Sequence, residues 1–169
     1  ETFVIAKAPQ DLTAQDLALS YMQSEKINVT GNMGALSYKS ADTSIAEVDS
    51  AGFVTAKGVG ETQVTVISGG TYNYTESSTQ ITVRVTKASQ EIEAENLEIA
   101  LPNTETLTVN GAKTELSFES LDPDIATVDE EGNITAVRPG STQINVVATE
   151  TDLYTAGRAQ ARVKVIKGE

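Results

Sequence analysis

The sequence contains no cysteine, no histidine and no tryptophan. Without cysteine no disulfide can form, and without cysteine or histidine no thiolate or imidazole metal site can be built. The missing histidine also removes the usual base for a serine nucleophile. Proline is scarce, with 4 residues, and the aromatics amount to 5 tyrosines and 3 phenylalanines. No apolar run approaches the roughly 18 residues that span a bilayer, and no signal-peptide pattern is present. Direct membrane insertion of this segment is therefore not expected. Cations are outnumbered: 12 lysines and arginines face 24 acids, a net charge of −12. A surface of that sign repels nucleic acid and anionic lipid. The acidity is uneven, net −3 over residues 1–87 and net −9 over residues 88–169. Solubility explains such a surface without any ligand; cation binding is the other explanation.

What is present is a repeat. Displaced by 80 residues, the chain matches itself without a gap at 31 of 89 positions. Lys7-Ala8-Pro9-Gln10 returns as Lys87-Ala88-Ser89-Gln90, Ile45-Ala46-Glu47-Val48-Asp49 as Ile125-Ala126-Thr127-Val128-Asp129, and Gly52, Gly60 and Tyr74 as Gly132, Gly140 and Tyr154. Two domains follow, residues 1–87 and 88–169. Residues 1–7 align with Ile81 to Lys87, so residues 1–8 read as the closing strand of a preceding copy. The join around Val85-Thr86-Lys87-Ala88-Ser89-Gln90 has neither glycine nor proline, which predicts a short link and an extended pair of domains.

Within each copy apolar residues alternate, the period of a half-buried strand. The first copy has Ile27/Val29, Leu36/Tyr38, Val54/Ala56, Val64/Val66 and Ile81/Val83/Val85; the second has the matching pairs from Leu107/Val109 to Ala161/Val163/Val165. Turn residues fall between these runs every 8–12 residues, the spacing of a β-sandwich. Tyr38 and Phe118 share the core alternation and are expected to be buried. The phase slips once per copy, from Leu12/Ala14 to Leu17/Leu19/Tyr21 and from Ile92/Ala94 to Leu97/Ile99/Leu101. A β-bulge there would carry the first strand from one sheet to the other. Helix propensity over residues 15–22 is opposed by Pro102 at the position of Met22.

Asp49-Ser50-Ala51-Gly52 and Asp129-Glu130-Glu131-Gly132 read as type I turns closed by a glycine at positive φ. Arg138-Pro139-Gly140 suits a type II turn. Gly52, Gly132, Gly60 and Gly140 thus have structural roles. Tyr74 and Tyr154 suit a tyrosine corner, with the ring packed and the hydroxyl bonded to backbone.

The run from Ile125 to Val146, Ile-Ala-Thr-Val-Asp-Glu-Glu-Gly-Asn-Ile-Thr-Ala-Val-Arg-Pro-Gly-Ser-Thr-Gln-Ile-Asn-Val, and its counterpart from Ile45 to Val66 resemble the signature of group 2 bacterial immunoglobulin-like domains. With the flanking strands the resemblance covers nearly the whole chain. It implies an all-β fold of two tandem immunoglobulin-like antiparallel β-sandwiches and an exported, extracellular protein at the bacterial cell surface. Modules of this family occur in tandem in intimin- and invasin-type adhesins, as spacers in secreted polysaccharide-acting enzymes and in surface-layer proteins. The family carries no catalytic residues, and fold alone does not specify function.

Candidate binding residues are few. Asp122, Asp124 and Asp129, with Glu130 and Glu131, crowd one stretch and are calcium candidates, although the spacing of a known calcium loop is missing. Tyr72, replaced by Asp152 in the second copy, is a candidate ligand contact, since an exposed ring can stack on a sugar. Carboxylate pairs serve glycoside hydrolysis only in a deep cleft, which two small domains rarely offer. Neither catalysis nor a cofactor is expected. The reading is a monomeric, non-catalytic segment acting in cell adhesion or as a stalk or spacer. Its partners would be neighbouring repeats and a host or surface protein or glycan. An accessory or spacer module of a secreted carbohydrate-active enzyme is the alternative.

Overall fold

A computed structural model describes residues 2–169. The chain divides into two compact units, the second starting at Ser89. Among the described residues every regular element is a strand, and no helix is long and apolar enough to cross a membrane.

In the first domain the strands are β1 (Thr13–Ala14), β2 (Leu17–Ser20), β3 (Ser24–Lys26), β4 (Val29–Thr30), β5 (Leu36–Ser40), β6 (Ala46–Val48), β7 (Phe53–Ala56), β8 (Gly60–Ser68) and β9 (Ser77–Thr86). The second domain repeats them 80 residues later as β10 (Glu93–Ala94), β11 (Leu97–Ala100), β12 (Thr104–Thr106), β13 (Val109–Asn110), β14 (Leu116–Ser120), β15 (Ala126–Val128), β16 (Asn133–Ala136), β17 (Gly140–Ala148) and β18 (Gly157–Ile166). Each domain has a four-stranded sheet (β2-β9-β8-β5; β11-β18-β17-β14), a three-stranded sheet (β3-β7-β6; β12-β16-β15) and a two-stranded ribbon (β1-β4; β10-β13).

The alternation explains the packing. Val64, Val66, Ile81, Val83 and Val85 of the larger sheet meet Ala46, Val54 and Ala56 of the smaller one, all at 2% exposure or less. Ile144, Val146, Ala161 and Val163 meet Ala126 and Ile134 in the same way. Each Val or Ile so buried contributes roughly 1.5–3 kcal/mol. The two cores are separate, so each domain has its own driving force for folding.

At the phase slip, β1 pairs with β4, whereas β2 pairs with β9. The strand changes sheets as expected, but through a break at Gln15 and Asp16 rather than a one-residue bulge within a continuous ladder. Asp16 bridges the break: its Oδ1 accepts a hydrogen bond from the Thr82 amide at 2.7 Å, and Asn96 does the same for the Arg162 amide at 2.8 Å. The sandwich is also not wholly antiparallel. β2 runs parallel to β9, and β11 to β18, because the strand changes sheets without reversing direction. No helix forms over residues 15–22; Leu17–Ser20 is strand and Met22 has φ of 73°.

Candidate functional site

Two places present side chains to solvent: the hairpin edge of each domain, and the loop of the first domain that carries Tyr72. At the hairpin, Asp129 caps its own turn. Its Oδ1 accepts hydrogen bonds from the Glu131 amide at 3.0 Å and the Asn133 amide at 2.8 Å, and its Oδ2 accepts one from Asn133 Nδ2. Bonds from Asn133, side chain first and amide second, hold the Asp129 carboxyl below its ordinary pKa. Asp49 builds the matching turn with the Ala51 and Phe53 amides, both at 2.9 Å. Gly52 and Gly132 close the turns at φ of 89° and 84°.

An aromatic ring covers each of these glycines. A Cβ on Gly52 would lie 2.7 Å from Tyr38 Cζ, and one on Gly132 would lie 2.8 Å from Phe118 Cζ. The rings are half-buried rather than buried, because they sit at the mouth between the two sheets, on edge strands β5 and β14. Burial, and secondly the charge of Asp49, push the Tyr38 hydroxyl above its usual pKa. Beside Phe118 runs a groove of about 870 Å³ between β14 and β15, floored by Leu116 and Val128 and rimmed by Glu115, Glu130 and Glu131. The first domain has a smaller one of about 520 Å³ at Tyr38, Val48 and Phe53.

The calcium candidates are not brought together. Asp122 turns its Oδ1 to the Asp124 amide at 3.1 Å while Asp129 serves its own hairpin. Among the described residues no three acidic side chains form a group that could hold a metal ion. Asp42, the counterpart of Asp122, is likewise occupied, accepting from the Ser44 hydroxyl and amide. Those two bonds lower its pKa, the hydroxyl foremost.

Tyr72 stands 92% exposed. Tyr74 is half-buried and bridges to Ala8 in parallel register. Its loop is held by the Thr71 hydroxyl, which accepts from the Asn73 amide at 3.3 Å and the Tyr74 amide at 3.0 Å, and Thr151 does the same for Leu153 and Tyr154. The Thr-x-x-Tyr turn is thus organised by the threonine hydroxyl in both domains. Arg138-Pro139-Gly140 is a bend, not a type II turn. The Val137 and Arg138 amides both donate to the Ile125 carbonyl. Gly140 is already the first residue of β17, at φ of 153°, and a Cβ there would lie 2.9 Å from Ile125 Cδ1. Gly60 repeats this against Ile45.

One pair of residues went unnoticed in the sequence. Gln10 and Gln90 are buried, at 7% and 6% exposure. Gln10 Nε2 donates to the carbonyls of Gly69 and Thr75, and its Oε1 accepts from the Met33 amide and the Ser68 hydroxyl. Gln90 repeats the bonds to the Thr155 carbonyl and from the Lys113 amide, and its Nε2 also donates to the Thr114 hydroxyl. The signal was their survival in both copies beside positions that changed.

The arrangement offers binding surfaces rather than reacting groups. A model of the intimin immunoglobulin-like domain matches residues 19–71, and one of the group 2 bacterial immunoglobulin-like domain matches residues 83–156. No curated protein matches the chain in sequence. Among solved structures, domains 1–6 of the surface layer protein SbsC align at 20% identity and a TM-score of 0.43, covering 85% of this chain and 22% of that one. Domains 4–9 align at 16% and 0.45, covering 94% and 30%. A SusE-like surface-located polysaccharide-binding protein from the Bacteroides thetaiotaomicron heparin utilisation locus aligns at 15% and 0.36, covering 97% and 34%. The chain spans about a third or less of each of these proteins, and at such scores the likenesses carry no weight for function. With the two family models falling one on each domain of an all-β structure, the chain is a tandem pair of bacterial immunoglobulin-like domains.

Proposed function

We propose that the pair is a non-catalytic segment of a bacterial cell-surface protein, a stalk or spacer that can also present an adhesive surface. One observation carries this reading: several of the polar side chains kept between the copies are bonded within their own domain. Gln10 and Gln90 clamp loops, Asp49 and Asp129 cap hairpins, and Thr71 and Thr151 hold the Tyr loop. Among the exposed loop positions some differ between the domains, as with Tyr72 against Asp152. A spacer needs such self-sufficient domains, and an adhesive role would reside in the positions that vary. Neighbouring repeats are the nearest partners, and a surface protein or glycan is the partner of the adhesive form.

The test is an in-frame deletion of residues 9–166 from the native protein, with surface labelling and attachment measured on intact cells. Retained display with reduced reach or attachment supports the reading. Unchanged attachment together with loss of a secreted hydrolytic activity would replace it with the accessory-module reading.

A further inference from the structure

Residues 2–7 belong to neither core. They form no strand, and Phe3, Val4 and Ile5 are 86%, 89% and 93% exposed. Three consecutive large apolar side chains in water are costly unless something covers them. Elsewhere in the chain the same pattern is covered. Phe3 and Ile5 stand 80 positions before Val83 and Val85 of β9, which are 0% and 2% exposed, and 160 before Val163 and Val165 of β18, at 0% and 3%. Val4 falls at the solvent-facing positions of Arg84 and Lys164, and Lys7 at Lys87 and Lys167. β9 is no edge strand: it lies between β2 and β8, parallel to one and antiparallel to the other. The alternation of residues 2–7 therefore matches a strand with ladder partners on both sides and one face in a core.

A second observation points to the same place. The loop holding Tyr72 is tied to the chain just after this segment: the Ala8 amide donates to the Asn73 carbonyl at 2.8 Å, and the Thr75 amide to the Ala8 carbonyl at 2.9 Å. Ile5, Lys7, Tyr72 and Tyr74 line one pocket of about 590 Å³. Whatever body takes up residues 2–7 comes to rest beside the Tyr72 ring.

We propose that residues 2–7 are the closing strand of a further immunoglobulin-like module of the same 80-residue repeat. Phe3 and Ile5 lie in that module's core, between strands equivalent to β8 and β2, and Tyr72 packs against its end. The exposure of Tyr72 is then that of a contact residue between modules, which separates this inference from any sugar-stacking role. It concerns what the segment docks into, and stands whether the protein is a stalk or an adhesin.

The experiment compares amide hydrogen exchange of the 169-residue chain with that of the native polypeptide extended upstream by one repeat length. The Phe3 and Ile5 amides are expected to exchange freely in the shorter chain and at least ~100-fold more slowly in the longer one. Equal rates in both, or an upstream sequence without the repeat, overturn the proposal. In the longer polypeptide, Phe3→Asp with Ile5→Asp should unfold the added module at lower urea while leaving the two domains described above unchanged, and Tyr72→Ala should speed exchange at its junction. If the shorter chain dimerises and Phe3→Asp abolishes the dimer, a second copy is the occupant and the proposal fails. If Tyr72→Ala instead abolishes binding of a soluble polysaccharide, the assignment of Tyr72 fails.

Discussion

The Ser68 hydroxyl donates to Gln10 Oε1 at 2.6 Å, whereas in the second domain, where position 148 is alanine and position 114 threonine, Gln90 Nε2 donates to the Thr114 hydroxyl at 2.9 Å. The first domain has Ser68 and Gly34; the second has Ala148 and Thr114. One hydroxyl is kept beside each buried glutamine, on β8 in the first domain and in the loop before β14 in the second. A buried amide group left partly unpaired costs more than an ordinary hydrogen bond yields, so the hydroxyl can move but not vanish.

Replacing Gln10 by leucine strands the Gly69 and Thr75 carbonyls and the Met33 amide, and leaves the Ser68 hydroxyl with Gly34 alone. The expected loss is about 2–4 kcal/mol in the first domain only, and Gln90→Leu should do the same to the second. Urea unfolding followed by residue-resolved exchange separates the two domains. A uniform loss across both would contradict the separate cores.

Ser68→Ala is expected to cost about 1–2 kcal/mol. Ala148→Ser brings a hydroxyl to a site that Thr114 already serves, and should destabilise the second domain rather than strengthen it. The pair Ala148→Ser with Thr114→Gly should recover part of the loss, and a thermodynamic cycle over the four proteins measures how much.

At Gly132 a side chain meets two obstacles, the φ of 84° and the Phe118 ring. Gly132→Val should destabilise by at least ~2 kcal/mol. Gly132→Ala combined with Phe118→Leu should restore the part due to the ring and leave the part due to the backbone. Thermal unfolding of the single and double variants distinguishes the two contributions.

Asp42 and Asp129 both have folded pKa values below the ordinary 3.8. For a depressed carboxylate, the contribution to stability is fully present above the unfolded value and is lost as pH falls through the folded one. The contribution of these two carboxylates should therefore be lost only in the acid range, beginning near the usual carboxylate pKa. Asp129→Asn should flatten that acid limb for the second domain alone, measured as the urea midpoint from about pH 5 down to about pH 2.

Calcium offers a direct check on the dispersed acids. With Asp122 and Asp129 bonded to different amides, millimolar calcium should leave the melting temperature unchanged. A rise that Asp122→Asn removes would show that the carboxylates rearrange around the ion.

Much of this architecture was legible beforehand. Alternation in Val64/Val66 and Ile81/Val83/Val85 identified inward faces, and the odd step between Ala14 and Leu17 marked the change of sheet. Asp49 with Gly52 marked the hairpin, since few residues other than glycine accept that φ. The direction of β2 was not legible, because a period of two reports which face a residue occupies and not which way the strand runs. The Gln10 clamp was hidden for a different reason. Its partners lie at Gly69 and Thr75, some 60 residues away, and a lone glutamine next to proline reads as surface. Arg138-Pro139-Gly140 misled because turn chemistry was present where the chain needed close approach to Ile125 instead. The cross-strand ion pairs show a similar freedom: Arg84 meets Glu61 on one neighbouring strand, while Lys164 at the matching position meets Glu98 on the other.

The parallel pairing of β2 with β9, and of β11 with β18, has a mechanical consequence. β2 stands near the start of its domain and β9 at its close, side by side and pointing the same way. A pull on the two ends of the domain slides these strands past each other, so the bonds between Leu17–Ser20 and Val83–Thr86 bear the load together instead of opening one after another. Force applied along the chain meets a shear joint in each domain, with the Asp16 bond to the Thr82 amide as its first rivet.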